Sequence, residues 1–197
     1  SLGPTQCQET IRTALAMGAA KAILVSDDAL KGVGALDTAK VLAAAIKRVE
    51  GADLVLAATE SSDGYTGTVP EQIAAVLDLP SITFAKSVEI ADGTVKVQRQ
   101  TEAGYDEVEA PLPALVSVTA GVVEPRYPSF KGIMAAKSKP VDTLTVADLG
   151  IDSAIVGWSG AGQEIIDVAV ILNALRTSTS GRAERAPRSG GREVQRM

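Results

Sequence analysis

The sequence predicts an α/β domain of three layers, a mostly parallel sheet flanked by helices, with an antiparallel hairpin added to it. Three observations predict this class. Up to Pro80, segments of helical apolar period alternate with short runs of buried-strand character, the pattern of a parallel sheet covered by helices. Apolar residues make up 46% of the 197-residue chain but aromatics only 3%, so the core is built from Ala, Val, Ile and Leu, as in parallel strands under Ala-rich helices. Beyond Pro80, two alternating segments flank Asp92-Gly93, the two-residue signature of a type I′ hairpin.

The elements follow in order. Thr5 and Gln8 make a T-x-x-Q capping box ahead of a first helix, whose inner face carries Cys7, Ile11, Ala14 and Leu15 and which Gly18 stops. Residues 21–26 (KAILVS) read as a short buried strand. Residues 35–49 read as a helix with Leu36, Ala39, Leu42, Ile46 and Val49 inward, and 53–59 (DLVLAAT) as a second buried strand. Thr68 and Glu71 repeat the capping box before a third helix. Pro70 sits in its first turn, where a missing N–H costs little, and Ile73, Val76 and Leu77 form its apolar face. Ser87 to Ile90 and Val95 to Gln98 alternate across the hairpin, Tyr105 to Glu109 alternate again, and LPALVSVT returns to a buried strand. Residues 124–140 are bounded by prolines and carry no strand period. Three regions result: an α/β domain over 1–153, a segment with one helix over 154–180, and a tail over 181–197. The tail is Arg-, Gly- and Ser-rich, holds only Val194 and Met197 as large apolar residues, and is expected to be disordered.

Composition excludes several classes of function. The formal charge of −5 argues against a nucleic-acid binder. There is no histidine, which removes Ser-His-Asp and Cys-His chemistry and the usual zinc sites. No G-x-x-x-x-G-K-S/T loop is present, which removes a Walker-type NTPase. No apolar run approaches the ~20 residues that span a bilayer, so direct membrane insertion is not expected. The first residues do not read as a signal peptide, and a single cysteine, Cys7, suits a reducing compartment, so the expected location is cytoplasmic.

Chemistry has three candidate places. The loop of residues 59–69 (TESSDGYTGTV) follows a buried strand and opens a helix, and in parallel α/β sheets ligands bind beyond the carboxyl ends of strands. Gly64 and Gly67 let backbone N–H groups approach a ligand, and Ser61, Ser62, Thr66 and Thr68 add hydroxyls. Asp63 could accept from a ribose or from the loop itself, and the helix N-terminus favours a phosphate. A well-capped loop without a ligand is the plainer reading. The S-L-G-P run at the start is a second candidate, with a strand-to-helix turn as its plainer reading. In the third, Tyr127, Phe130, Ile133 and Met134 stand among Arg126, Lys131, Lys137 and Lys139. This is the pattern either of a docking surface with a basic rim or of a short helix tucked onto the sheet.

Three stretches carry a family resemblance. SLGPTQCQETIRTALAMGA resembles the part of electron-transfer flavoprotein beta subunits where a strand ends at a G-P turn before a helix. The D-G-x-T-G-x-V-P run at 63–70 resembles the family's nucleotide loop, and EPRYPSFKGIMAAKSKP its recognition loop, followed by V-A-D-L-G at 146–150. The resemblance covers roughly residues 1–153. It implies an adenine nucleotide alpha hydrolase-like fold and a non-catalytic electron-carrier subunit paired with an alpha subunit. FAD is held mainly by the alpha subunit, and the beta subunit buries a structural AMP. The partners implied are acyl-CoA and other flavin-dependent dehydrogenases, as in fatty acid oxidation. Carried onto this sequence, the nucleotide contacts are Leu2, Gly3, Thr59, Glu60, Ser61, Ser62, Asp63, Gly64, Tyr65, Thr66, Gly67, Thr68 and Val69. The docking residues are Arg126, Tyr127, Phe130, Lys131, Ile133 and Met134, with Phe130 as the anchor where some relatives have Leu.

Two departures accompany the resemblance. The family's opening strand, K-x-V-P motif and helix have no counterpart ahead of Ser1. After about residue 160 the chain leaves the family pattern, and GQEIIDVAVILNALR (162–176) looks like the C-terminal end of metal-transporting P-type ATPases. A fragment or a chimeric gene product is the expectation. The competing functions are an adenine-nucleotide module like the universal stress proteins, whose G-x-x-G-x(9)-G-S/T pattern is not found, and an ATP-pyrophosphatase, whose S-G-G-x-D-S loop SSDG does not match.

Overall fold

The structure is a computed structural model, and it describes residues 1–62 and 64–152. Asp63, the expected one-helix segment from residue 154 and the expected tail lie outside the described residues.

The first helix, α1 (Gln8–Ala16), leads into strand β1 (Ala22–Val25), helix α2 (Ala35–Lys47), strand β2 (Leu54–Ala58) and helix α3 (Val69–Leu77). The strands β3 (Ser81–Ala91), β4 (Thr94–Thr101), β5 (Gly104–Pro111) and β6 (Ala114–Val118) follow. Helix α4 (Phe130–Ala136) and strand β7 (Val141–Leu144) complete the order. The alternation read from the sequence is therefore present and the class is α/β.

The sheet differs from the expected one. β1 pairs in parallel with β7, whereas β2 lies in a separate five-stranded sheet of order β2-β6-β3-β4-β5. On the other edge of β1, Gly3 N donates to Val25 O at 3.0 Å and Val25 N to Ser1 O at 2.8 Å, so residues 1–3 lie opposite β7. In the larger sheet β6 pairs in parallel with both β2 and β3, while β3-β4 and β4-β5 are antiparallel. Asp92 (φ 51) and Gly93 (φ 73) both take the left-handed conformation that a type I′ turn requires, and the hairpin stands where Asp92-Gly93 predicts it.

Layering also divides at this point. Leu24 faces a cluster with Ile11, Leu15 and Ala136 of α1 and α4, while the next residue, Val25, faces α2 and α3. The β1-β7 pair is thus sandwiched between helices. In the larger sheet Val55, Ala57 and Leu115 join the same α2/α3 core, but the opposite face packs a cluster of strand residues, Ile82, Ala85, Val95, Val97, Ala114 and Val116. Three layers hold for β1-β7. Among the described residues the larger sheet has helices on one face.

Several local expectations need correction. A 3-10 turn, Thr5–Cys7, intervenes before α1, so Thr5 is not the N-cap and neither it nor Cys7 makes a side-chain cap. Thr68 precedes α3 but its backbone is already helical. Its hydroxyl accepts from Gln72 Nε2 at 3.4 Å rather than capping an N–H. Leu36 is 51% exposed because the buried stripe of α2 starts a turn later and includes Thr38, Val41, Ala43 and Ala45. Val76 is 38% exposed, since α3 buries Val69, Pro70, Ile73 and Ala74 and Val76 lies on the flank of that face.

One carboxylate ties the ends of β1 and β7 together. Asp27 Oδ1 accepts from Ala29 N at 3.0 Å and Oδ2 from Val146 N at 3.1 Å. Nearby, Thr145 donates through both its N (2.8 Å) and its hydroxyl (2.7 Å) to Asp148 Oδ2. The side-chain bond foremost holds that exposed carboxyl below its usual range. Val146 is fully buried, so its N–H has no solvent to replace the Asp27 oxygen. Asp27→Ala is expected to destabilise the fold by ~1–3 kcal/mol, and Asp27→Asn by less because one carbonyl oxygen remains. Denaturant midpoints of the two variants check this, and an unchanged midpoint for Asp27→Ala contradicts it.

Candidate functional site

The 59–69 loop leaves β2 and is drawn tight before α3 begins. Thr59 Oγ1 donates to Val118 O at 3.1 Å, which ties the loop's first residue to the end of β6. Ser61 is buried. Its hydroxyl accepts from Gly64 N at 3.1 Å and its carbonyl from Tyr65 N at 3.3 Å. The N–H of Gly64 is therefore engaged within the loop rather than presented outward, against the expectation for that glycine. Tyr65 takes a left-handed φ of 49° and is 67% exposed. Gly67 also has positive φ (61°), and a Cβ there would stand 3.7 Å from Glu60 Oε2. Ser62, Thr66 and Thr68 present exposed residues, while Val69 is buried in the core below.

At the start of α3, two acceptors are unexpectedly lonely. Glu71 Oε2 and Gln72 Oε1 are buried and have no hydrogen-bond partner among the described residues, as is also true of Thr38 Oγ1 in α2. Buried polar atoms are nearly always paired, so these stand out. Sequence reading reached Glu71 only as a capping residue and did not single out Gln72.

The S-L-G turn is a structural edge before anything else. Leu2 is 3% exposed and packs in the same core as Ala57 and Val69, which anchors the first residues and the 59–69 loop to one apolar cluster. Its side chain is therefore unavailable to a ligand. Because Ser1 O and Gly3 N carry the bonds to Val25, the N–H and C=O of Leu2 point away from β1, as a parallel ladder requires. Gly3 is sterically demanded, since a Cβ would lie 2.7 Å from Cys7 Sγ. A shallow apolar depression between β1 and α2, lined by Ile23, Leu42, Ala45, Ile46 and Val49 among others, contains none of the expected nucleotide residues.

The second cluster is exposed. Ser129 caps α4 by accepting from Gly132 N at 3.0 Å. The helix buries only Ala136 and turns Phe130 (81% exposed), Ile133 and Met134 outward at i, i+3 and i+4. Tyr127, at 86% exposure, precedes them, and Arg126 and Lys131 are exposed beside them. These side chains are exposed, whereas the buried side of α4, Ala136, joins Ile11 and Leu15 of α1 and Leu24 of β1 in one cluster. Val123 is also exposed, at 73%, and was not picked out in the sequence, where a Val between Val122 and Glu124 carries no period. Lys139, expected at the rim, is turned inward, with its ammonium on the carbonyls of Leu15 and Ala19.

Among the described residues no group of His, Cys, Asp or Glu could hold a metal ion, and no helix is long and apolar enough to cross a membrane.

Comparison with known proteins supplies the family. A family model described as the electron transfer flavoprotein domain matches residues 1–149. The electron transfer flavoprotein subunit beta of Mycobacterium tuberculosis (strain ATCC 25618 / H37Rv) is 45% identical over 164 residues, covering 83% of this chain and 62% of the relative. The subunit of the same name from Sus scrofa is 40% identical over 154 residues, 77% of this chain and 60% of the relative. The caffeyl-CoA reductase-Etf complex subunit CarD of Acetobacterium woodii is 38% identical over 165 residues, 84% and 63% respectively. The chain thus spans about three fifths of the length of the curated relatives it matches. On the match over residues 1–149 and on relatives named as beta subunits, the chain belongs to the electron transfer flavoprotein family.

Proposed function

We propose that the complete protein is the beta subunit of an electron transfer flavoprotein, a carrier subunit rather than a catalyst. In this reading it pairs with an alpha subunit that holds most of the FAD, keeps a structural AMP at the 59–69 loop, and docks flavin-dependent dehydrogenases through α4. The observation that carries the docking role is the exposed apolar face of Tyr127, Phe130, Ile133 and Met134, set among Arg126 and Lys131 on a capped helix. Contiguous exposed apolar side chains rimmed by charge are the usual mark of a protein–protein contact. That a relative belongs to a caffeyl-CoA reductase-Etf complex supports oxidoreductases of CoA thioesters as the partner class. The family match does not favour a redox-silent nucleotide module of the universal stress protein type.

The fit to a nucleotide rests on this chain's own atoms. Glu71 Oε2 and Gln72 Oε1 are buried acceptors lacking donors, and the hydroxyls and amine of an adenine nucleotide are donors. Gly67 bears no side chain to obstruct a close approach, and Ser62, Thr66 and Thr68 add exposed hydroxyl side chains. The α3 N-terminus favours an anion, and the nearby Glu60 carboxylate limits where a phosphate could sit. AMP supplies no redox chemistry in this role, and FAD, when bound, supplies the electron-accepting ring. The residues of this chain bind, order the loop and present the docking face.

Two experiments on the complete heterodimer test these assignments. Gly67→Val and Asp63→Ala are each expected to lower the nucleotide retained through purification, with AMP rather than a second FAD as the species released on denaturation. Unchanged nucleotide content in both variants removes the loop assignment. Phe130→Ala is expected to weaken docking by at least ~2 kcal/mol, roughly a thirtyfold rise in the apparent KM for the flavoprotein when a dehydrogenase reduces it. The bound flavin spectrum is expected to stay intact. An unchanged KM places docking elsewhere.

A further inference from the structure

α1 and α4 grip each other by exchanging cations across their C-terminal ends. The last carbonyls of a helix have no partner within it, and they carry the negative end of the helix dipole. Arg12, one turn before the end of α1, donates through Nη1 to Ala136 O, the last residue of α4, at 2.6 Å and to Lys139 O, three residues beyond it, at 2.7 Å. In return Lys139 donates through Nζ to Leu15 O, in the last turn of α1, at 2.8 Å and to Ala19 O, three residues past that helix, at 2.6 Å. All four bonds are partly buried.

A backbone contact at the other end of α4 completes the grip. A Cβ built on Gly132 would lie 2.5 Å from Ala16 O, so the helices touch there with no side chain between them. Ala136, 3% exposed, fills the remaining space with Ile11 and Leu15. A seven-residue helix is far too short to persist in water by itself. Yet Phe130 is 81% exposed and Ile133 and Met134 about half exposed, and Ala136 is the one residue of α4 that is buried.

We propose that Arg12 and Lys139 are positioning residues that hold α4 ready-formed, so that a partner meets an already ordered Phe130, Ile133 and Met134. The proposal rests on the docking role given to α4 above. Order established before contact removes an entropy cost from binding, and the benefit appears in affinity and not in the rate of the bound complex. Both bonds of Arg12 leave from the one nitrogen Nη1, as both of Lys139 leave from Nζ, so lysine at position 12 keeps the charge and a nitrogen able to serve two carbonyls, but on a side chain of different length and shape.

The test uses the complete heterodimer and its dehydrogenase, with Phe130→Ala measured alongside. Arg12→Gln is expected to raise the apparent KM for the flavoprotein roughly three- to tenfold with kcat nearly unchanged. It should speed amide hydrogen exchange across 133–139 and leave the flavin spectrum as it is. Arg12→Lys should recover part of the loss, and Lys139→Gln should shift KM in the same direction. If Arg12→Gln fails to fold, Lys139→Gln and Arg12→Lys carry the same reading. Faster exchange with an unchanged KM, while Phe130→Ala still raises KM, overturns the positioning role alone. Unchanged exchange in Arg12→Gln and Lys139→Gln overturns it as well. If Phe130→Ala also leaves KM unchanged, the docking role of α4 falls, and the positioning role with it.

Discussion

The structure depends on one apolar core shared by two sheets that have no hydrogen-bond ladder in common among the described residues. Leu2, Val25 and Val146 enter it from the β1-β7 side, Val55, Ala57 and Leu115 from the larger sheet, and α2 and α3 close it with Leu42, Ile46, Val69 and Ile73. Among the described residues no aromatic side chain takes part, so the fit comes from many small contacts between Ala, Val, Leu and Ile. Such a core tolerates little loss of volume at any one position. It also places the 59–69 loop, which hangs from Ala57 at one end and Val69 at the other.

Around that core, polar groups do local work. Asp27 closes the end of the β1-β7 pair, Thr59 ties the loop to β6, and Arg12 and Lys139 fasten α4 to α1. Each joins segments distant in sequence through a backbone atom. The 59–69 loop and α4 are thus both held from outside themselves, and much of their polar and apolar surface is left exposed.

Much of this was legible from residue order. The strand runs KAILVS and DLVLAAT and the Asp92-Gly93 hairpin stand where period and turn chemistry put them, while the segment after Glu124 left open whether its apolar residues face outward. What escaped was decided by distant partners. β7 (VDTL) has no apolar period and is a strand because β1 offers it an edge. Residues 1–3 lie along the other edge of β1, which no local pattern announces. The capping boxes at Thr5 and Thr68 failed because a 3-10 turn and a helical Thr68 displaced the geometry they need. Lys139 read as a rim charge because its long stem hides where the ammonium ends up. The unpaired Glu71 and Gln72 oxygens could be found only from burial.

The central claim is that this chain belongs to a flavin-carrying heterodimer. The most direct measurement is the visible absorption spectrum of the complete protein purified together with its alpha partner, followed as an acyl-CoA dehydrogenase and its substrate are added. The account predicts a flavin spectrum that copurifies with both chains and bleaches on that addition. Copurification without flavin, or a flavin that stays oxidised in the presence of every flavin-dependent dehydrogenase of the source cell, would contradict it.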